Sequence, residues 1–411
     1  MKNLSATPLA ISILYGLAAG SVAALVLWAM NHLTDLIWHH DFASQPLYIF
    51  ALIMMGGVLI AVLRHSMHGN DPDLAKQIDG AGKAENNHVK DITLLAAMAI
   101  ISVAFGGAVG PEAGILAVVA ELSALVSFAI VRSKAEQRLI GQVGVAAALG
   151  GLYASPPGSA LLGDDADAAN NDEGDASAES EGDTRPLLFL AGLMGLIGFF
   201  VTASWVLGGD GMRVTLPPFD QSSILQAMLY SVIPAALGGL AGLLFVCALP
   251  LVQSMLNKLG GVAVQTLVGT ALFAGLAAIW PIARFSGHHE LVEMTHWVTS
   301  NAPLAVLGLA LLKITALTLC LASGWKGGAI FPLLFAGAAA GAAALPIVPP
   351  DLTTAAFIAA MSAAATIGMG KPMAAILVVA LLIAPFAAGP LMVGAAIGYG
   401  LSKLGPKPAL H

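Results

Sequence analysis

Apolar residues run in long blocks along this chain, and glycine and proline interrupt them more often than charge does. The blocks are 9–31, 47–63, 92–105, 115–131, 139–162, 187–207, 224–256, 262–283, 303–322, 329–348, 352–369 and 373–401. A helix needs about 20 such residues to cross a bilayer. Several blocks are shorter, and 373–401 is long enough for two pieces. The interruptions fall at Gly106-Gly107, Gly110-Pro111, Pro156-Pro157, Pro332 and Pro372. Short, broken segments of this kind predict half-helices and re-entrant helices, which mark binding sites in transporters. The pattern predicts an all-α polytopic membrane protein. The opening run exceeds the roughly 7–15 apolar residues of a signal peptide, so an uncleaved first helix is expected.

Composition agrees with that class. Of 411 residues, 58% are hydrophobic and 10% charged, against about 25% charged in a soluble domain. So few charges cannot clothe a water-facing surface. The net charge of −7 is local: between Asp164 and Pro186 nine acids meet one base, and the remainder of the chain sums to +1. The stretch 163–186 is too polar to bury a core and is expected to be a disordered cytoplasmic insertion. Arg132, Lys134 and Arg138, and Lys76, Lys83 and Lys90, mark cytoplasmic loops by the positive-inside rule. Cys247 and Cys320 lie in apolar runs, where packing as small hydrophobes is the default.

Three motifs recur in order. Gly16-Leu-Ala-Ala-Gly20 is answered by Gly238-Gly-Leu-Ala-Gly242 at an offset of 222, and Gly106-Gly-Ala-Val-Gly-Pro111 by Gly327-Gly-Ala-Ile-Phe-Pro332 at 221. Alanines 146–148 ahead of Pro156 are answered by alanines 363–365 ahead of Pro372, at 217. The chain reads as two duplicated halves, 1–212 and 213–411. With an odd number of spans each, they would be inverted in the membrane, with a site at their interface.

The middle pair carries the candidate chemistry. A glycine-rich turn opening a helix exposes unpaired N–H groups at the positive end of the helix dipole, which suits an anion. Two such ends can hold one without a full positive charge, which would bind too tightly for release. The expected anion-holding residues are Gly107, Val109, Gly110 and Glu112 in the first half, with Gly328, Ala329, Ile330 and Phe331 in the second. Close helix packing through glycine is the competing use of the same pattern.

These motifs resemble those of the CLC chloride channels and chloride/proton exchangers, with bacterial ion-transport proteins carrying a Gly-Pro-Glu version of the first motif as the nearest branch. The family patterns Gly-x-Glu-Gly-Pro and Gly-x-Phe-x-Pro fall on Gly107–Pro111 and Gly328–Pro332. A third, Gly-Ser-Gly-Ile-Pro, falls loosely on Gly69-Asn70-Asp71-Pro72. The resemblance implies a CLC-like fold of two inverted-topology repeats, anion transport, and a homodimer in a bacterial inner membrane. It adds Gly69 and Asn70 as anion contacts.

The departures bear on mechanism. The family's gating glutamate falls on Val109, which cannot titrate, so passive conduction of chloride-like anions is expected. Glu112, one helical turn on, is the other gate candidate. It leaves open a proton-coupled exchanger, and a fluoride-selective transporter is the further alternative. Ile330 stands at the second motif's phenylalanine position, and Tyr399 is the tyrosine nearest to a family Lys-Pro-x-Tyr segment. His289, Glu293 and His296 would share a face if helical, but a polar loop is expected there in place of a metal site. His65 and His68 beside Arg64 suggest a solvated helix end. No nucleophile pairing points to an enzyme, and no cofactor or nucleic-acid partner is expected.

Overall fold

The computed structural model describes residues 6–67, 86–130, 134–164, 184–206, 208, 214–218 and 223–406. Gly69, Asn70 and nearly all of the acidic tract lie outside these residues. The chain is built of helices: α1 (Ala6–Ala10), a π turn (Ile11–Tyr15), α2 (Gly16–Trp38), α3 (Pro46–Ser66), α4 (Asn86–Ala104), α5 (Glu112–Ile130), α6 (Lys134–Leu152), α7 (Pro156–Asp164) and α8 (Arg185–Val206). There follow α9 (Ile224–Tyr230), α10 (Val232–Asn257), α11 (Val262–Ile279), α12 (Leu291–Thr299), α13 (Pro303–Ala322), α14 (Ile330–Ala342), α15 (Thr353–Met369), α16 (Pro372–Leu382) and α17 (Ala388–Ser402). Among the described residues, 7 helices are long and apolar enough to cross a membrane. The protein is multi-pass.

Proline opens α3, α13 and α16 at the first turn, where its missing N–H costs no helical bond. The break expected near Pro156 falls between α6 and α7, and the block 373–401 is two helices, α16 and α17. Among the described residues, one two-stranded pairing departs from the helices: Val214–Thr215 pairs in parallel with Ile383–Ala384.

The chain forms two compact units, each assembled from separate segments. One takes residues 1–31, 71–97 and 112–213; the other takes 32–70, 98–111 and 214–411. In the first unit, helices meet through glycine. A Cβ on Gly20 of α2 would overlap the backbone of Gly195 in α8, and one on Gly195 would overlap Ala147 in α6. Lipid gives apolar helices no hydrophobic reason to associate, so close backbone approach has to supply the contact. Within this seam Tyr15 Oη lies 2.6 Å from Ser123 Oγ.

In the second unit α15 is the buried axis, covered from Thr354 to Met369. Gly238 and Gly242 of α10 press on Ala360 and Ala364, while Gly394 and Gly398 of α17 press on Ala359 and Ala363. The two repeated alanine stretches, 146–148 and 363–365, are fully buried in their respective units. A methyl side chain is what lets neighbouring backbones come this close.

Candidate functional site

Both glycine turns belong to the second unit. The first begins where α4 ends, with Trp38 Nε1 donating to the Ala104 carbonyl at 2.9 Å. Gly106 has φ +84°, a conformation glycine adopts without steric cost. The Gly107 N–H turns back to the Ser102 carbonyl at 2.8 Å. The Ala108 N–H reaches Cys320 Sγ at 3.4 Å, so this cysteine also serves as an acceptor. Cys247, by contrast, is exposed.

The second turn follows α13. Gly324 has φ +91°, and any Cβ there would overlap the Arg64 guanidinium. Arg64 Nη1 donates to Thr266 Oγ1 at 2.7 Å and to the Ser323 carbonyl at 3.1 Å. Arg64 is therefore a buried clamp on the end of α13, whereas His65 beside it is exposed, in keeping with the solvated helix end expected there, and His68 lies outside the described residues. Nothing beside Arg64 in the sequence points to its acceptors, which lie 202 and 259 positions away. Trp325 Nε1 donates to Thr270 Oγ1 at 2.9 Å, and the Lys326 N–H to Ser102 Oγ at 2.9 Å.

Reciprocal backbone bonds join the turns: Gly110 N–H to the Gly328 carbonyl at 2.7 Å, and Gly328 N–H to the Gly110 carbonyl at 3.0 Å. The N–H groups of Gly107, Gly110 and Gly328 are thus engaged within the protein. Among the described residues, the N–H groups of Val109, Ala329 and Ile330 make none of the backbone bonds outside regular helices. Val109 is 1% exposed, with its side chain against Gly327. Helix α14 begins at Ile330, so Pro332 sits inside its first turn and not at its first residue. No residue of α14 is ionisable, so the helix itself contributes only its dipole at its N-terminus.

A loop between α11 and α12 laces this site together. Phe285 N–H donates to the Gly106 carbonyl at 3.2 Å, and the His288 ring stands edge-on to Phe331 at 5.1 Å between centroids. Lys313 of α13, 1% exposed, fastens the loop by donating to the carbonyls of Ile282, Arg284 and Phe285 at 3.1, 2.9 and 2.9 Å. Its ammonium also lies 4.9 Å from the Phe335 ring centroid. Sequence reasoning passed over Lys313, although a lone lysine inside an apolar span was the available signal. The polar loop expected here is corrected over Leu291–Thr299, which form α12 because their apolar residues Leu291, Met294 and Val298 are buried; Glu293 and His296 lie on this helix and His289 precedes it. Among the described residues, no three possible metal ligands cluster.

The other unit holds Glu112, which opens α5 and is 4% exposed. Tyr153 Oη donates to Glu112 Oε1 at 3.4 Å, and both side chains are buried. Sequence reasoning missed Tyr153; a phenol between the Ala/Gly run and Pro156 was its signal. Tyr399 is 49% exposed, with Lys403 over its ring.

Residues 72–403 match the model of the family described as "Voltage gated chloride channel". A relative in Shigella flexneri, "Putative ion-transport protein YfeO", is 24% identical over 355 residues, spanning 82% of this chain and 79% of that protein. Among solved structures, a slow cyanobacterial Cl−/H+ antiporter superposes with a TM-score of 0.75 at 18% identity, covering 99% of this chain and 97% of its own. A CLC-type fluoride/proton antiporter gives 0.71 at 16%, with 98% and 97% covered.

Proposed function

The chain belongs to the voltage-gated chloride channel family, and on that premise we propose that it passes small inorganic anions, chloride first, by passive conduction. The carrying observation is the joined pair of turns with Val109 at its centre. Gly107, Gly110 and Gly328 frame the site, while the N–H groups of Val109, Ala329, Ile330 and Phe331 meet the anion. Partial charges at a helix end attract an anion without trapping it. A valine at this position cannot exchange a proton for the passing anion. The two duplicated halves, 1–212 and 213–411, a homodimer and a bacterial inner membrane complete the proposal.

The purified protein in liposomes tests it. Under a chloride gradient the reversal potential is expected at the chloride equilibrium value, unmoved by an imposed pH gradient. A second reading is favoured by the buried Glu112–Tyr153 pair and by the two antiporters of the same fold: coupled exchange gated by Glu112, with chloride or fluoride as cargo. A buried carboxylate at membrane depth is a functional candidate by default. That reading predicts a reversal potential displaced by the pH gradient, and loss of the displacement in Glu112→Gln. Running chloride and fluoride gradients in parallel separates the two cargoes.

A further inference from the structure

We propose that His288 sets the anion affinity of the site according to pH: its imidazolium, formed on acidification, draws the anion to the Phe331 end of α14. The inference rests on the proposed anion site and adds to it a residue that neither glycine motif contains.

The geometry is specific. His288 is 8% exposed, and its ring abuts Phe331 edge-on at 5.1 Å. The loop carrying it is fixed at three places: Lys313 holds three carbonyls upstream, Phe285 N–H is tied to Gly106, and Gly287 packs on Phe335 and the Lys313 side chain. The imidazole is therefore held next to the second motif by a braced backbone.

The charged and titratable surroundings of this ring can be enumerated. His289 stands edge-on to it at 4.9 Å. Glu290 follows in the chain, and α12 carries Glu293 and His296. Arg284 lies upstream in the loop, Lys313 comes from α13 against Gly287, and Lys326 precedes the second motif. From α14, whose Phe331 touches the ring, no ionisable group faces it. Lys313 directs its ammonium at backbone carbonyls, whose dipoles stabilise its charge without cancelling it.

Imidazole is the side chain that ordinarily changes charge between about pH 5 and 8. A full positive charge brought close to a bound anion, in a partly desolvated setting, alters its affinity by roughly tenfold or more. The sign follows: attraction is present at low pH and lost as pH rises and the ring becomes neutral.

The test is initial chloride flux at subsaturating chloride in liposomes holding the full-length protein, at pH 5.5 and pH 8. Wild type is expected to run about tenfold faster at the lower pH. His288→Gln should flatten that ratio, and His288→Lys should raise the flux at pH 8 towards the acid value. His289→Gln, as a control on the exposed neighbour, should keep the wild-type ratio. A pH ratio that persists in His288→Gln and vanishes in Glu112→Gln overturns the inference in favour of a carboxylate gate. A His288→Lys variant indistinguishable from His288→Gln overturns it too. Chloride flux that is normal but independent of pH in wild type defeats this inference alone, whereas absence of flux at every pH defeats the transport reading beneath it.

Discussion

Replacing Lys313 by Met is expected to abolish anion flux and to lower the stability of the purified protein by about 1–3 kcal/mol. Methionine nearly matches the lysine stem in length, so packing against Phe335 and Gly287 survives. What disappears is the ammonium that satisfies the carbonyls of Ile282, Arg284 and Phe285. The loss of a donor to carbonyls that are only part-buried falls within that range, offset in part by relief of the desolvated charge. Once released, the loop no longer keeps Phe285 on Gly106 or His288 on Phe331, so the damage extends to the first turn and to α14. Arginine should rescue only in part, because a planar guanidinium cannot converge on three acceptors as an ammonium does. Thermal unfolding in detergent and liposome flux, measured on the same preparations, decide the matter. A Lys313→Met protein with wild-type melting and flux would remove the loop from the site.

The second large effect is expected at Gly327. A Cβ there would overlap Val109 Cβ and Cγ2 and lie 2.9 Å from the Gly110 carbonyl oxygen. Valine is stiff at χ1 and cannot swing clear, and the adjoining atoms are backbone. Gly327→Ala should therefore push the turns apart and strain the 2.7 and 3.0 Å bonds between Gly110 and Gly328. Overpacking of this kind costs about 1–3 kcal/mol. Directed at the proposed site, that is on the order of a tenfold to hundredfold loss of flux. Removing the opposing side chain supplies the check: Val109→Gly combined with Gly327→Ala should recover a substantial share of the flux. The coupling would be read as a double-mutant cycle. An unimpaired Gly327→Ala, or a double variant no better than the single one, would mean that the contact between the turns does not control conduction.

Much of this was legible in one dimension. The breaks at Pro156 and Pro372, the opening of α5 after Gly110-Pro111 and the split of 373–401 all followed from apolar block length and proline chemistry, which act locally. Arg64 went the other way. His65 and His68 beside it suggested a solvated helix end, and only its partners, Thr266 and Ser323, explain why Arg64 itself is buried. Cys320 read as a small apolar residue and accepts a hydrogen bond from Ala108. Such roles depend on which distant backbone arrives, and an apolar segment records no address for its partner.

The sequence by itself determined that this protein lives in a membrane, because 10% charge cannot solvate its surface, and it located two glycine turns, because glycine and proline constrain the backbone where they stand. Only the tertiary structure decided that Gly110 and Gly328 spend their N–H groups on each other. It also decided that Lys313 braces a loop across both turns, and that Glu112 is met by Tyr153. Those outcomes depend on the directions of hydrogen-bond donors brought together across long stretches of chain, a geometry that packing fixes and local composition does not.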